Sequence, residues 1–275
     1  MTLYSLQRSE LKEVFDAVED AFSNLGTDYY VIGALARDIW YSKENKLSRA
    51  TRDADFAILV GTETQFEEIK EYLKAKKGFQ DSKGNRYVLI SPNGQQVDIL
   101  PFGAIEIDEK VQISGTGLTS ISVNGFSEVY NTGTAEVQLD TGHHFKVASL
   151  HSIVLLKLIA YDDRPEQRAK DGRDVGSIIE HYFDLQAEHI YEHHSDLFTD
   201  TEKDIELHDI AATVIGREIK MTIGVNSALV QRVRTILERE IKLAEKSSFI
   251  INMIAETKMS VEDAAKRLEK ILQAL

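Results

Sequence analysis

The chain has 275 residues, enough for one large or two modest domains with a buried core. It contains no cysteine, which excludes disulfides, thiolate catalysis and cysteine-rich zinc sites. A formal net charge of −13 argues against a surface that grips long nucleic acid by counterion release, although a local basic pocket is compatible with it.

Residues 5–25 place Leu11, Val14, Phe15, Val18, Phe22 and Leu25 at three- and four-residue spacing, which predicts an amphipathic helix stopped by Gly26. "DYYVIG" reads as a buried strand, "ALARDIWY" as a short helix, "ADFAILV" as a second strand and "ETQFEEIKEYLKAKKG" as a helix ending at Gly78. Strands alternate with helices, so the first half is α/β. "NRYVLI" and "QVDILPF" flank an Asn-Gly turn and predict a β-hairpin. Residues 105–148 carry several short strand-like runs, with "DTGHH" as another hairpin turn. From there on the period is helical, and Ser260 with Asp263 forms a capping-box pattern. The boundary is placed at residue 148, giving domains 1–148 and 149–275, with helices of the second contributing to a site on the first. The apolar run "SIVLLKLIAY" carries Lys157 and is too short to span a bilayer, and the N-terminus lacks a signal-peptide order. A soluble, cytoplasmic protein with no membrane partner is expected.

Asp53 and Asp55 stand two apart in an otherwise apolar strand, so both side chains share one face. Adjacent carboxylates repel unless a cation sits between them, and hard oxygen donors at this spacing suit Mg²⁺ or Mn²⁺. An Asp-x-Asp step also occurs at strand entrances as mere capping. Asp98, between Val97 and Ile99, supplies a third acid on a second strand. It either completes a metal site or serves as general base on an acceptor hydroxyl; alone, it would read as a solvated edge position.

The turn "VIGA" at 31–34, followed by "DADF" and "VDIL", resembles the nucleotidyltransferase superfamily pattern of a small-residue turn, an Asp-x-[Asp/Glu] strand and a third acid. "GALARD" is similar to the turn of the tRNA CCA-adding and poly(A) polymerase class. "SRATRDADFAI", with Arg49 and Thr51, is more similar to the AbiEii/AbiGii toxin-type nucleotidyltransferases, as is "LLKLIAYDDRPEQRAKDGRDV", with Lys157, Arg164, Lys170, Asp171 and Asp174. The resemblance covers residues 25–180. It departs at Ala34, where the family carries a second glycine or a serine.

The resemblance implies a polymerase-beta-like catalytic domain with a mixed sheet, α+β or α/β, followed by an all-helical domain. It implies a Mg²⁺-dependent enzyme that moves an NMP from an NTP to a tRNA or protein acceptor and releases pyrophosphate, toxin-like and opposed by a separate antitoxin protein. A small-molecule (antibiotic) acceptor, or a non-catalytic nucleotide binder on the same fold, is the alternative. Asp53, Asp55 and Asp98 would be the catalytic and metal residues, and Gly33, Ala34, Arg37, Arg49, Lys157 and Asp171 would contact the nucleotide. Arg37 faces the nucleotide or braces the loop carrying "RATRDAD". A buried ammonium needs an anion, so Lys157 reaches a triphosphate or pairs with Asp162 or Asp171. Asp174 is read as structural support, and Arg164 shares the Lys157 face if the helix extends that far. His143-His144 and His193-His194 each lack a nearby third ligand and read as surface or turn histidines. "GTGLTS" lacks the Gly-Lys-[Ser/Thr] of a phosphate loop and reads as a turn.

Overall fold

In the computed structural model, which describes residues 3–4, 9–44, 53–199 and 206–275, the chain divides into two units, Met1–Ser149 and Leu150–Leu275. The first unit runs β1 (Leu3–Tyr4), α1 (Ser9–Leu25), β2 (Tyr29–Ile32), α2 (Gly33–Ser42), β3 (Asp53–Leu59), α3 (Glu63–Lys77), β4 (Gln80–Asp81) and β5 (Val88–Ile90). It continues through β6 (Gln96–Phe102), β7 (Lys110–Gln112), β8 (Ser120–Ser122), α4 (Phe126–Thr132), β9 (Thr134–Leu139) and β10 (His144–Ala148). Among the described residues, eight strands make one mixed sheet in the order β1-β9-β10-β2-β3-β6-β5-β4, and β7 pairs with β8 apart from it.

The central pair β3 and β6 is parallel, with β2 antiparallel to β3 on one side and β5 antiparallel to β6 on the other. One sheet face is covered by the apolar stripe of α1. Phe56 of β3 meets Phe15 and Phe22 edge-on at ring-centroid distances of 5.7 and 6.2 Å, a favourable arrangement for aromatic pairs. On the opposite face Phe102 packs on Phe126 and Tyr130, and the buried Tyr30 hydroxyl donates to the Phe126 carbonyl at 3.0 Å. That contact belongs to α4, a helix where strand-like runs are expected from the sequence. Gly125, with φ 87°, reverses the chain ahead of it, and seven residues are too few to show a helical period.

The second unit is helical: α5 (Leu150–Asp163), α6 (Ala169–His193), α7 (Leu207–Ile223), α8 (Ser227–Leu243), α9 (Ser248–Ile254) and α10 (Val261–Ala274). α5 is apolar on nearly every side and sits in the middle, packed against α6, α7 and α8. It stops at Asp163, because Arg164 turns out of the helix (φ −149°, ψ 64°), so Arg164 does not extend the Lys157 face. α9 lies close on α6: a methyl group on Gly176 would come 2.2 Å from the Met253 carbonyl oxygen, and one on Gly172 2.8 Å from that of Phe249. The expected capping box at α10 is formed, with Ser260 Oγ accepting from the Asp263 N–H at 3.0 Å and Asp263 Oδ2 accepting from the Ser260 N–H at 3.0 Å.

The histidine pairs split. His144 and His193 are exposed, as expected, whereas His143 and His194 are buried. His143 Nε2 is 3.0 Å from Asp16 Oδ1, a partner 127 residues away that no local pattern could reveal. Among the described residues, no helix is long and apolar enough to cross a membrane.

Candidate functional site

The register of three neighbouring strands brings the acids and the turn together. In the ladder Asp55 stands opposite Asp98 on one side and Ile32, the last residue before Gly33, on the other; Asp53 stands opposite Gln96. Residues directly across a ladder share a face, and so do residues two apart. All three carboxylates therefore project from the same face of the sheet. The residues between them, Ala54, Phe56, Val97 and Ile99, are fully buried on the other face. Asp53 is exposed, while Asp55 and Asp98 are half-buried, and Gln96 Nε2 donates to Asp98 Oδ1 at 2.9 Å. Solvent access to the first acid and partial desolvation of the other two is what a site that takes up a charged ligand from water requires.

Gly33 has φ 68°, and a Cβ placed on it would lie 2.3 Å from Asp55 Oδ2 and 3.3 Å from Asp55 Cβ. Glycine is thus demanded twice, once by the backbone conformation and once by the carboxylate that occupies the place of a side chain. It also opens α2, whose first turn has no side-chain cap and no acidic residue. The leading N–H groups of that helix are the kind of donors that bind phosphate oxygens.

Gly33→Ala should leave a folded protein, less stable by about 1–2 kcal/mol for the left-handed backbone alone. Nucleotidyl transfer should fall roughly 100-fold or more, because the new methyl must push the Asp55 carboxylate aside by an ångström or so. Chemical denaturation and label transfer measured on the same preparation separate the two effects. A variant that is destabilised yet transfers at the wild-type rate would show that the Gly33–Asp55 contact is structural only.

Ala34 and Arg37 follow on α2. Arg37 is 4% exposed, donates from Nε and Nη2 to Asp38 Oδ1 at 3.0 and 2.7 Å, and lies with its guanidinium carbon 5.7 Å from the Tyr41 ring centroid. Arg49, together with Thr51 and Arg52, lies outside the described residues.

Lys157 and Asp171 belong to the helical unit and meet there. The Lys157 ammonium is buried, 3.0 Å from Asp171 Oδ1 and 2.6 Å from Asp174 Oδ2. Burial pushes its pKa down, and the two carboxylates more than reverse this, holding it above the ordinary lysine value. Pairing with Asp171 is therefore formed, and Asp174 shares it equally. Asp162, the other partner weighed, accepts instead from Arg232 and Arg239 at 3.1 and 2.7 Å. Asp171 Oδ2 accepts no hydrogen bond among the described residues and has Arg168 Nη1 at 3.9 Å.

Comparison with solved structures finds a solution structure of the antibiotic-resistance factor ANT(2″)-Ia, 12% identical, spanning 71% of this chain and 100% of that one with a TM-score of 0.37. It also finds the crystal structure of ANT(2″)-Ia in complex with adenylyl-2″-tobramycin, 12% identical, covering 82% and 99% of the two chains, with a TM-score of 0.38. A Thermotoga maritima CCA-adding enzyme complexed with tRNA is 12% identical over 97% of this chain and 81% of that one, with a TM-score of 0.28. No curated protein matches the chain. A family model described as nucleotidyl transferase AbiEii toxin, type IV toxin–antitoxin system, matches residues 17–269, a span that takes in Gly33 and all three acids as well as most of the helical unit. With nearly the whole chain inside that match, the protein belongs to the AbiEii nucleotidyltransferase family: it is a transferase with a polymerase-beta-like mixed sheet followed by a helical C-terminal region.

Proposed function

We propose that the protein transfers a nucleoside monophosphate from an NTP to a tRNA or protein acceptor in a Mg²⁺- or Mn²⁺-dependent reaction, and that it acts as a cytoplasmic toxin opposed by a partner antitoxin protein. The observation that carries this reading is the close approach of Gly33 to Asp55, in register with Asp98. The turn that would bind phosphate and the acids that would manage its charge meet at one end of three neighbouring strands in the middle of the sheet.

In the reaction an acceptor oxygen forms a bond to the α-phosphorus, the bond from that phosphorus to the bridging oxygen breaks, and pyrophosphate leaves with the electron pair. Asp98, which accepts a hydrogen bond from Gln96, would take the proton from the acceptor hydroxyl or complete the metal site. Asp53, Asp55 and Asp98 form an all-oxygen donor set of the kind Mg²⁺ takes, and the ion would neutralise triphosphate charge and withdraw electrons from the phosphorus. The N–H groups at Gly33 and Ala34 would hold the β- and γ-phosphates, with no side chain at residue 33 to keep them away. Arg37 would face the nucleotide or brace the loop that carries Arg49, and Arg49 keeps its family-derived assignment to the nucleotide. For Lys157 and Asp171 the nucleotide-contact role rests on the resemblance, while their mutual ion pair gives them a first task in joining α5 to α6.

The test is incubation of the protein with each α-labelled NTP and a total cell extract, with and without EDTA. Label on RNA or protein that disappears with EDTA is expected. Label found only on small molecules would replace the acceptor class, and no label from any NTP would remove catalysis from the reading.

A further inference from the structure

Far from the carboxylates in sequence, α6 breaks at Gln186 (φ −125°, ψ 17°), and its last turns carry His189, with His194 as the C-terminal cap. α7 returns with Glu218 in its C-terminal half, a residue only 7% exposed. His194 Nε2 lies 2.8 Å and His189 Nε2 3.0 Å from the same oxygen, Glu218 Oε1. On the other side of the carboxylate His151 Nδ1 stands 3.9 Å from Oε2. Arg217, next to Glu218 on α7, forks onto Asp196 at 2.8 and 2.6 Å, and its 3.5 Å approach to His194 Nδ1 is too long to fix that ring's tautomer.

We propose that His189, His194 and Glu218 form a zinc site that fastens the end of α6 to α7. The donor chemistry selects the metal. Two imidazoles and one carboxylate suit zinc, whereas Mg²⁺ and Ca²⁺ prefer oxygen throughout. So does the spacing: with zinc–donor bonds of about 2.0–2.1 Å, tetrahedral donors stand roughly 3.3 Å apart. The three donor atoms here all lie within 4.8 Å of one another, and both nitrogens sit within 3.0 Å of the oxygen. The two nitrogen–oxygen distances, 3.0 and 2.8 Å, need open by only a few tenths of an ångström to reach that spacing, and side-chain rotation of the part-exposed His189 sets the distance between the nitrogens. Three protein donors leave a fourth position for water, and His151 stands on the far side of the Glu218 carboxylate. The absence of cysteine rules out a thiolate site but not this one.

The full chain, stripped with chelator and then exposed to zinc and passed through gel filtration, should retain one zinc per chain by elemental analysis and melt a few degrees higher than the stripped form. Cobalt in place of zinc should give the visible absorption of a four- or five-coordinate N/O site. His189→Ala changes a part-exposed side chain and should fold, and both it and His194→Ala should lose the zinc and the shift. Asp55→Asn should keep both, which separates this site from the acids on the sheet and from the reading built on them. The proposal is overturned if the folded wild-type chain retains no zinc, or if His189→Ala and His194→Ala retain as much as wild type. The cluster would then be a hydrogen-bonded network only.

Discussion

Asp55→Asn should reduce nucleotidyl transfer by at least about 100-fold while leaving the fold intact. The substitution keeps the shape of the side chain and removes its charge, at the position where Gly33 and Asp98 both converge. Loss of one preorganised charged group in a phosphoryl-type transfer costs on this order. Stability should move the other way. Asp53 and Asp55 share a face and repel, so removing one charge relieves an unfavourable interaction, and the melting temperature should hold or rise slightly. Label transfer from an α-labelled NTP, read beside thermal melting, tests both halves. Transfer retained to within about tenfold, a tenth of the expected loss, would take Asp55 out of the catalytic set.

Lys157→Ala should act on stability. It strands Asp171 and Asp174, both nearly buried, without the ammonium that lies 3.0 and 2.6 Å from them. Breaking a buried ion pair from one side costs about 3–5 kcal/mol, a large share of the roughly 5–15 kcal/mol that holds a protein folded. Urea denaturation should show this loss. Converting both aspartates to asparagine in the same chain should restore part of it, since no uncompensated charge is then left behind. A loss under about 1 kcal/mol, the level of an exposed pair, would mean that the cation is not needed where it sits. If the repaired chain is stable yet transfers poorly, the nucleotide-contact role that the resemblance gives Lys157 and Asp171 together gains support.

Much of the sheet site was legible because it depends on short-period patterns. Alternation alone assigns Asp53 and Asp55 to one face and sets Asp98 against Val97 and Ile99. The Asn93-Gly94 turn announces the hairpin of β5 and β6, which fixes the register of Asp98. What was illegible depends on distant partners. β1 is two residues long and exists by pairing with β9, more than a hundred residues on. Glu218 reaches His189 and His194 from another helix, so the histidines alone gave no sign of a third donor. Lys157 announced that it needed an anion, but the choice of Asp171 and Asp174 over Asp162 depended on where α5 ends. α4 falls within the stretch 105–148 where short strand-like runs are expected, and its seven residues are too few for a helical stripe.

The Gly33–Asp55 contact also changes how the Gly-Ala step is weighed. Of its two positions, only the first has an acid where a side chain would stand. The second, Ala34, is the next residue of the helix that Gly33 opens. The substitution that sets this chain apart from its family's motif thus falls on the tolerant half of the step. Under the proposed function, a change there would alter how phosphate is held while the geometry of the acids is left alone.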